Sequence, residues 1–165
     1  MERFFVIISV FFLFSCSKID DIPSYSDLEV GYEFSVRSPH GKDLLDPLAT
    51  YHFDSTNIRL FWEINGELFE PYEPHLCSPR FFKVYKHSDN YRLSLTLNHS
   101  GISEKTITYI QWDNVDTDTI VTLYNDTNMG ILKRKVWLNE QLVWEWASNK
   151  EAYSELVKDF IPNEQ

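Results

Sequence analysis

The residues of this chain with the means to do chemistry are five histidines, one acidic loop, one internal cysteine and a cluster of tryptophans. His40, His52, His75, His87 and His99 are scattered, with no H-x-H, H-x-x-x-H or HExxH spacing that would put two imidazoles on one metal. Asp113, Asp116 and Asp118, with Asn114, could offer oxygens to a hard cation, but the central glycine and closing glutamate of an EF-hand are missing. Loops of this composition form for backbone reasons alone, so no metal is expected. There is no G-x-S-x-G elbow and no glycine-rich phosphate loop. A pair of catalytic carboxylates cannot be picked from so many dispersed acids, because their separation is a property of the fold. No catalytic residue and no cofactor is therefore expected. Cys77, close to His75 and Arg80 in a proline-rich stretch, is expected to be a buried small hydrophobe. Trp144 and Trp146 alternate along one strand and Trp137 lies across the hairpin from them. Exposed, such indoles would form a platform for sugar rings or a partner protein; buried, they would be core, and Leu142 on their face favours core.

Cys16 carries chemistry of another kind. Residues 4–14 are apolar except for Ser9, follow Arg3, and end at Ser15 and Cys16, the layout of a secretory signal. The run is too short for a membrane span, which needs about 20 apolar residues for about 30 Å of hydrocarbon. Leu13-Phe14-Ser15-Cys16 resembles the lipobox of bacterial lipoproteins. The resemblance implies that 1–15 is a signal peptide and that Cys16, acylated, is the first mature residue. Acyl chains at about 0.8 kcal/mol per buried CH₂ would then hold the protein on a membrane. The polar, acidic stretch Ser17-Lys18-Ile19-Asp20-Asp21 resembles the export signal of surface lipoproteins in Bacteroides-like bacteria, which implies the outer face of the outer membrane. Asp54-Ser55-Thr56 and Asp118-Thr119-Ile120 resemble the acceptor for O-glycosylation in such bacteria, with Ser55 and Thr119 as the acceptors. Asn98-His99-Ser100 matches the N-glycosylation sequon, to which an exported bacterial protein gives little weight.

What must position these residues is a sheet. The 165-residue chain carries a net charge of −10, and losing Glu2 and Arg3 with a leader leaves that balance unchanged. Its acids are dispersed, which excludes nucleic acid and anionic lipid as partners through bulk charge. With Cys16 acylated, only Cys77 remains, so no intramolecular disulfide can form. Residues 16–29 read as a tether. Period-two alternation follows in Tyr32, Phe34 and Val36, then in Ile58, Leu60, Trp62 and Ile64, then in Tyr91, Leu93, Leu95 and Leu97. Asn65-Gly66 between two apolar runs is a two-residue hairpin turn. Residues 71–79 hold three prolines and form a loop. Strands are also expected from Phe82, over 105–112 and 119–124, and in a last hairpin around 139–141.

The tail changes period. Ala152, Tyr153, Leu156, Val157, Phe160 and Ile161 recur at helical spacing, Ser148 and Glu151 form a capping box, and Pro162 would end the helix. A short helix over 149–160 is expected, packed on the sheet. The fold class is mainly β: an antiparallel β-sandwich of immunoglobulin-like architecture over 30–148, with a C-terminal helical segment over 149–165. The pattern EFSVRSPHGKDLLDP…STNIRLFWEING, within 30–67, resembles small Bacteroides-type cell-envelope lipoproteins. That resemblance implies a β-sandwich at the cell envelope and brings no catalytic residues. The expected function is a membrane-anchored binding or accessory module for a surface glycan or an envelope protein. The alternatives are an envelope hydrolase whose carboxylates or histidines meet only in the fold, and a purely structural envelope component.

Overall fold

The computed structural model describes residues 27–100, 105–127, 130–146 and 151–159, and all four stretches contain strands. In chain order they are β1 (Asp27–Glu29), β2 (Gly31–Arg37), β3 (Arg59–Ile64), β4 (Glu67–Phe69), β5 (Phe82–His87) and β6 (Asn90–Thr96). Then come β7 (Lys105–Gln111), β8 (Thr117–Thr127), β9 (Gly130–Leu138), β10 (Gln141–Glu145) and β11 (Tyr153–Val157). A seven-stranded sheet runs β1-β9-β8-β7-β3-β4, with β10 also on β9, and a four-stranded sheet runs β11-β2-β6-β5. The apolar positions of both sheets join one buried cluster. Tyr32, Phe34, Leu93 and Leu95 come from the smaller sheet, and Leu60, Ile110, Ile120 and Val136 from the larger. Only Val30 separates β1 from β2, so the chain passes there from one sheet to the other.

Turn chemistry explains the hairpins. Asn65 (φ 54°) and Gly66 (φ 83°) both take the left-handed conformation and close β3 on β4, as the Asn-Gly pair predicts. Asn139 (φ 45°) and Glu140 (φ 69°) close β9 on β10 in the same way. The Asp43–Pro47 segment is a latch on the core. Leu44 and Leu45 are buried, Asp43 accepts hydrogen bonds from the Leu45 and Tyr91 amides, and the Leu44 amide donates to Val36 O at 2.8 Å.

Three expectations need correction. The tail is not helical: Tyr153–Val157 is strand β11, and no helix occurs among the described residues. β11 lies parallel to β2 and fills an edge whose backbone groups would otherwise lack a ladder. Its register is pinned by Tyr32 Oη to Ser154 Oγ (2.6 Å), Ser35 Oγ to Tyr153 Oη (2.6 Å) and an Arg37–Glu155 ion pair (2.9 Å). A short isolated helix has a costly nucleus, and these tertiary bonds outweigh it. Second, the sheets are mixed rather than purely antiparallel, since β1 is also parallel to β9. Third, the chain is already in a strand at Asp27–Glu29, inside the stretch read as tether.

Buried polar groups stitch the elements together. Lys158, just past β11, pairs with Asp116 (2.7 Å) and with the buried Asp118 (2.8 Å). The Asp118 carboxylate also accepts from Trp112 Nε1 and Asn139 Nδ2, each at 2.7 Å. Asn98 is buried, and its amide donates to the carbonyls of Glu63 and Ile107, joining β3 to β7 just beyond the end of β6.

Candidate functional site: the outward face of the seven-stranded sheet

In a sheet, residues directly opposite on paired strands share a face, so the register identifies what the larger sheet turns to solvent. One row crosses six strands: Leu68, Glu63, Ile107, Val121, Trp137 and Leu142. A second row is Phe61, Tyr109 and Thr119, and a third is Arg59, Gln111 and Thr117. Leu68 and Leu142 are exposed at 62% and 45%, and the aromatic members Phe61, Tyr109 and Trp137 are half-buried. The face is thus an apolar and aromatic floor with Glu63 set within it and cations at its margins. Arg59 lies 4.7 Å from the Phe61 ring centroid and Lys105 lies 5.4 Å from that of Trp137. Tyr109 donates to Glu63 at 2.7 Å, and that carboxylate, aided by burial, pushes the phenol above its ordinary pKa.

At one end the face opens into a polar cleft of about 450 Å³, lined by Thr56, Asn57, Arg59, Glu70, Arg80, Gln111, Asp113 and Asn114. Arg59 grips Glu70 with both Nε and Nη2, which holds the Glu70 carboxyl below the usual range. Such a carboxyl is no proton donor near neutrality. The Arg80 guanidinium, 4.6 Å from the Phe82 ring centroid, donates to the carbonyls of Ser55, Thr56 and Ile58. Asp113 accepts the amides of Val115 and Asp116, each at 2.8 Å. The charged side chains are therefore braced, and the amides of Asn57, Gln111 and Asn114 hydrogen-bond no other side chain among the described residues. This cleft was not legible in the sequence, because its lining comes from four separated stretches of chain.

The expected site residues are divided. Trp137 faces outward, half-buried; Trp146 is exposed at 44%, with Arg134 at 5.0 Å from its ring centroid; Trp144 is buried. The proposed row of Trp137, Trp144 and Trp146 is therefore broken. A β-bulge between Leu142 and Trp144 sets Leu142 opposite the outward Trp137 but Trp144 opposite the buried Val136. Ser55 sits on an exposed turn, where Asp54 accepts the amide and hydroxyl of Thr56. Thr119 lies within β8, with its amide bonded to Asn139 and its neighbour Asp118 held in the buried ion pair. The Asn98 amide is likewise engaged within the fold. Cys77 is exposed, contrary to expectation, because its proline-rich loop has no sheet to cover it. Asp116 and Asp118 of the acidic loop are turned to Lys158, and no group of three or more His, Cys, Asp or Glu converges among the described residues. Cys16, the signal sequence and most of the tether lie outside the described residues. No family model, curated protein or solved structure matches the chain.

Proposed function

We propose that this protein is a glycan-binding module of the bacterial envelope, held at the outer membrane by an acylated Cys16. Its two sheets form a β-sandwich of immunoglobulin-like architecture. The shared core and the passage of the chain from one sheet to the other at Val30 support that reading. The observation that carries the binding role is the polar cleft opening onto the outward sheet face, with Arg59 and Gln111 belonging to both. Planar amides and guanidinium groups offer adjacent donors and acceptors, the pattern that neighbouring sugar hydroxyls require. Phe61, Tyr109 and Trp137 on the same face offer apolar ring surface along the path of a chain leaving the cleft. In the cleft Arg59 and Arg80 are balanced by Glu70 and Asp113, which fits a neutral glycan over an acidic one.

The test is binding of the detergent-purified chain to a panel of neutral and acidic polysaccharides, alongside Gln111→Ala and Asn57→Ala. Binding of a neutral glycan, weakened at least about tenfold in each variant by loss of about 1.4 kcal/mol, is the expected outcome. Absence of glycan binding, with an envelope protein captured on Leu68 and Leu142 instead, would replace the glycan with a protein partner. Hydrolysis of the bound glycan would replace the binder with an enzyme. The anchor is tested separately, by mass spectrometry of the native protein for a diacylglyceryl group on Cys16.

A further inference from the structure

Lys133 occupies a core position of β9. The sheet registers Tyr124 against Lys133 but Leu123 against Lys135, leaving Arg134 as the extra residue of a bulge. Unbroken alternation from the buried Val136 and Leu138 would have turned Lys133 to solvent; the bulge turns it inward, where it is 3% exposed. The second bulge, on the neighbouring β10 pairing, turns Trp144 into the same interior. Two departures from alternation on adjacent ladders thus aim an ammonium and an indole at one place, and bulges are built features of this kind. The Lys133 Nζ lies 5.1 Å from the Trp144 ring centroid and 5.4 Å from that of Tyr32, and donates one hydrogen bond to Gly31 O.

Around it the hydrogen-bond accounting does not close. Trp144 Nε1, the Tyr124 hydroxyl and Thr122 Oγ1 are buried without a partner, and their residues are 8%, 7% and 0% exposed. Burial pushes the Tyr124 phenol up; the Thr122 hydroxyl, next to it, pulls the other way without reaching hydrogen-bonding geometry. No carboxylate of the described residues ion-pairs with Nζ, and Glu29 acts on it only from a distance. Each of the three unpartnered groups can donate, one indole hydrogen and two hydroxyls, and among the described residues Nζ gives only one of its three hydrogens, to Gly31 O. What is missing is an acceptor with negative charge. A water has two lone pairs and no charge, so it would leave donors unmet and the cation uncompensated.

We propose that Lys133, Trp144, Tyr124 and Thr122 form an internal binding site for a small monovalent anion of halide size. The ion accepts from Nζ and Nε1 and from one or both hydroxyls, and neutralises the buried charge beside the crossing from β1 to β2. Its affinity falls as pH rises past about 8, where Lys133 loses its proton. The charged and titratable groups that bear on Lys133 are Glu29 of β1, whose charge reaches it from a distance, Tyr32 of β2, whose ring it overlies, and Tyr124 of β8, its register partner. The Tyr32 phenol is pushed up to about 12 and that of Tyr124 is also raised, so neither titrates in that range.

Bromide is the probe. Thermal unfolding of the full chain in detergent at pH 7 is compared in bromide and in gluconate at equal ionic strength. Lys133→Met reports the general salt effect, and Trp144→Phe removes one donor while keeping the charge. The expected result is a saturable rise in Tm of about 2–4 °C in bromide beyond that of Lys133→Met, smaller in Trp144→Phe, with an anomalous bromide peak in hydrogen-bonding reach of Nζ and Nε1. Equal behaviour of the wild type and Lys133→Met, or a water at that position in bromide-grown crystals, would overturn the site.

Discussion

Lys133 shows how one side chain can set a pH dependence. Burial lowers its pKa from 10.5 to about 8, with Glu29 opposing. Between those values the unfolded chain holds a proton that the folded chain has released, so stability rises with pH in that window. The difference corresponds to about 3 kcal/mol withheld from the folded state below pH 8. In gluconate, the stability of the wild type relative to Lys133→Met should therefore climb by up to that amount from about pH 8 to 10.5. Urea unfolding of both proteins across that range measures it, and a flat difference would mean that Lys133 is solvated. Tyr32, whose phenol is pushed up to about 12, acts in the opposite sense: its folded form keeps a proton that the unfolded form loses above pH 10. That contribution is common to both proteins and cancels in the comparison.

At the scale of elements, β11 and the β9–β10 turn are the instructive cases. As a helix, residues 149–160 would set Leu156 and Val157 on one apolar stripe; as a strand, β11 puts Leu156 inside at 9% exposure and Val157 outside at 58%. Leu156→Asp should lose about 3 kcal/mol or more through a buried unpaired carboxyl, whereas Val157→Asp should stay within about 0.5 kcal/mol. Chemical denaturation of the pair distinguishes the two structures, since a helix would lose stability at both positions. Glu140 holds a φ of 69°, a region that burdens any side chain. Glu140→Gly should therefore raise stability by about 0.5–1 kcal/mol, visible as a higher denaturation midpoint with unchanged slope.

For the molecule as a whole, charge and cleft make separate statements. The net charge of −10 repels polyanions at long range, while the charges lining the cleft cancel locally. Affinity for a neutral glycan should therefore change less than about twofold between low salt and about 0.5 M salt, and titration calorimetry at both ends checks this. A steep salt dependence would point to a charged ligand and away from the amides of Asn57, Gln111 and Asn114.

The sequence by itself determined the local grammar. Period-two runs named the core residues Tyr32, Phe34, Leu60, Leu93 and Leu95, and Asn65-Gly66 named its own turn. Each of these depends on neighbours a few positions away, which is the range over which side-chain alternation and φ preference act. Tertiary structure alone decided which edge the tail would fill, since the partners of Tyr153 and Ser154 stand 118 and 122 residues earlier. It also decided which aromatic rings meet water. A single extra residue in β9 or β10 reverses the parity of everything beyond it, turning Lys133 and Trp144 inward while Trp137 stays out. Bulge position follows from how strands fit their neighbours, and that fit does not exist until the sheet has formed.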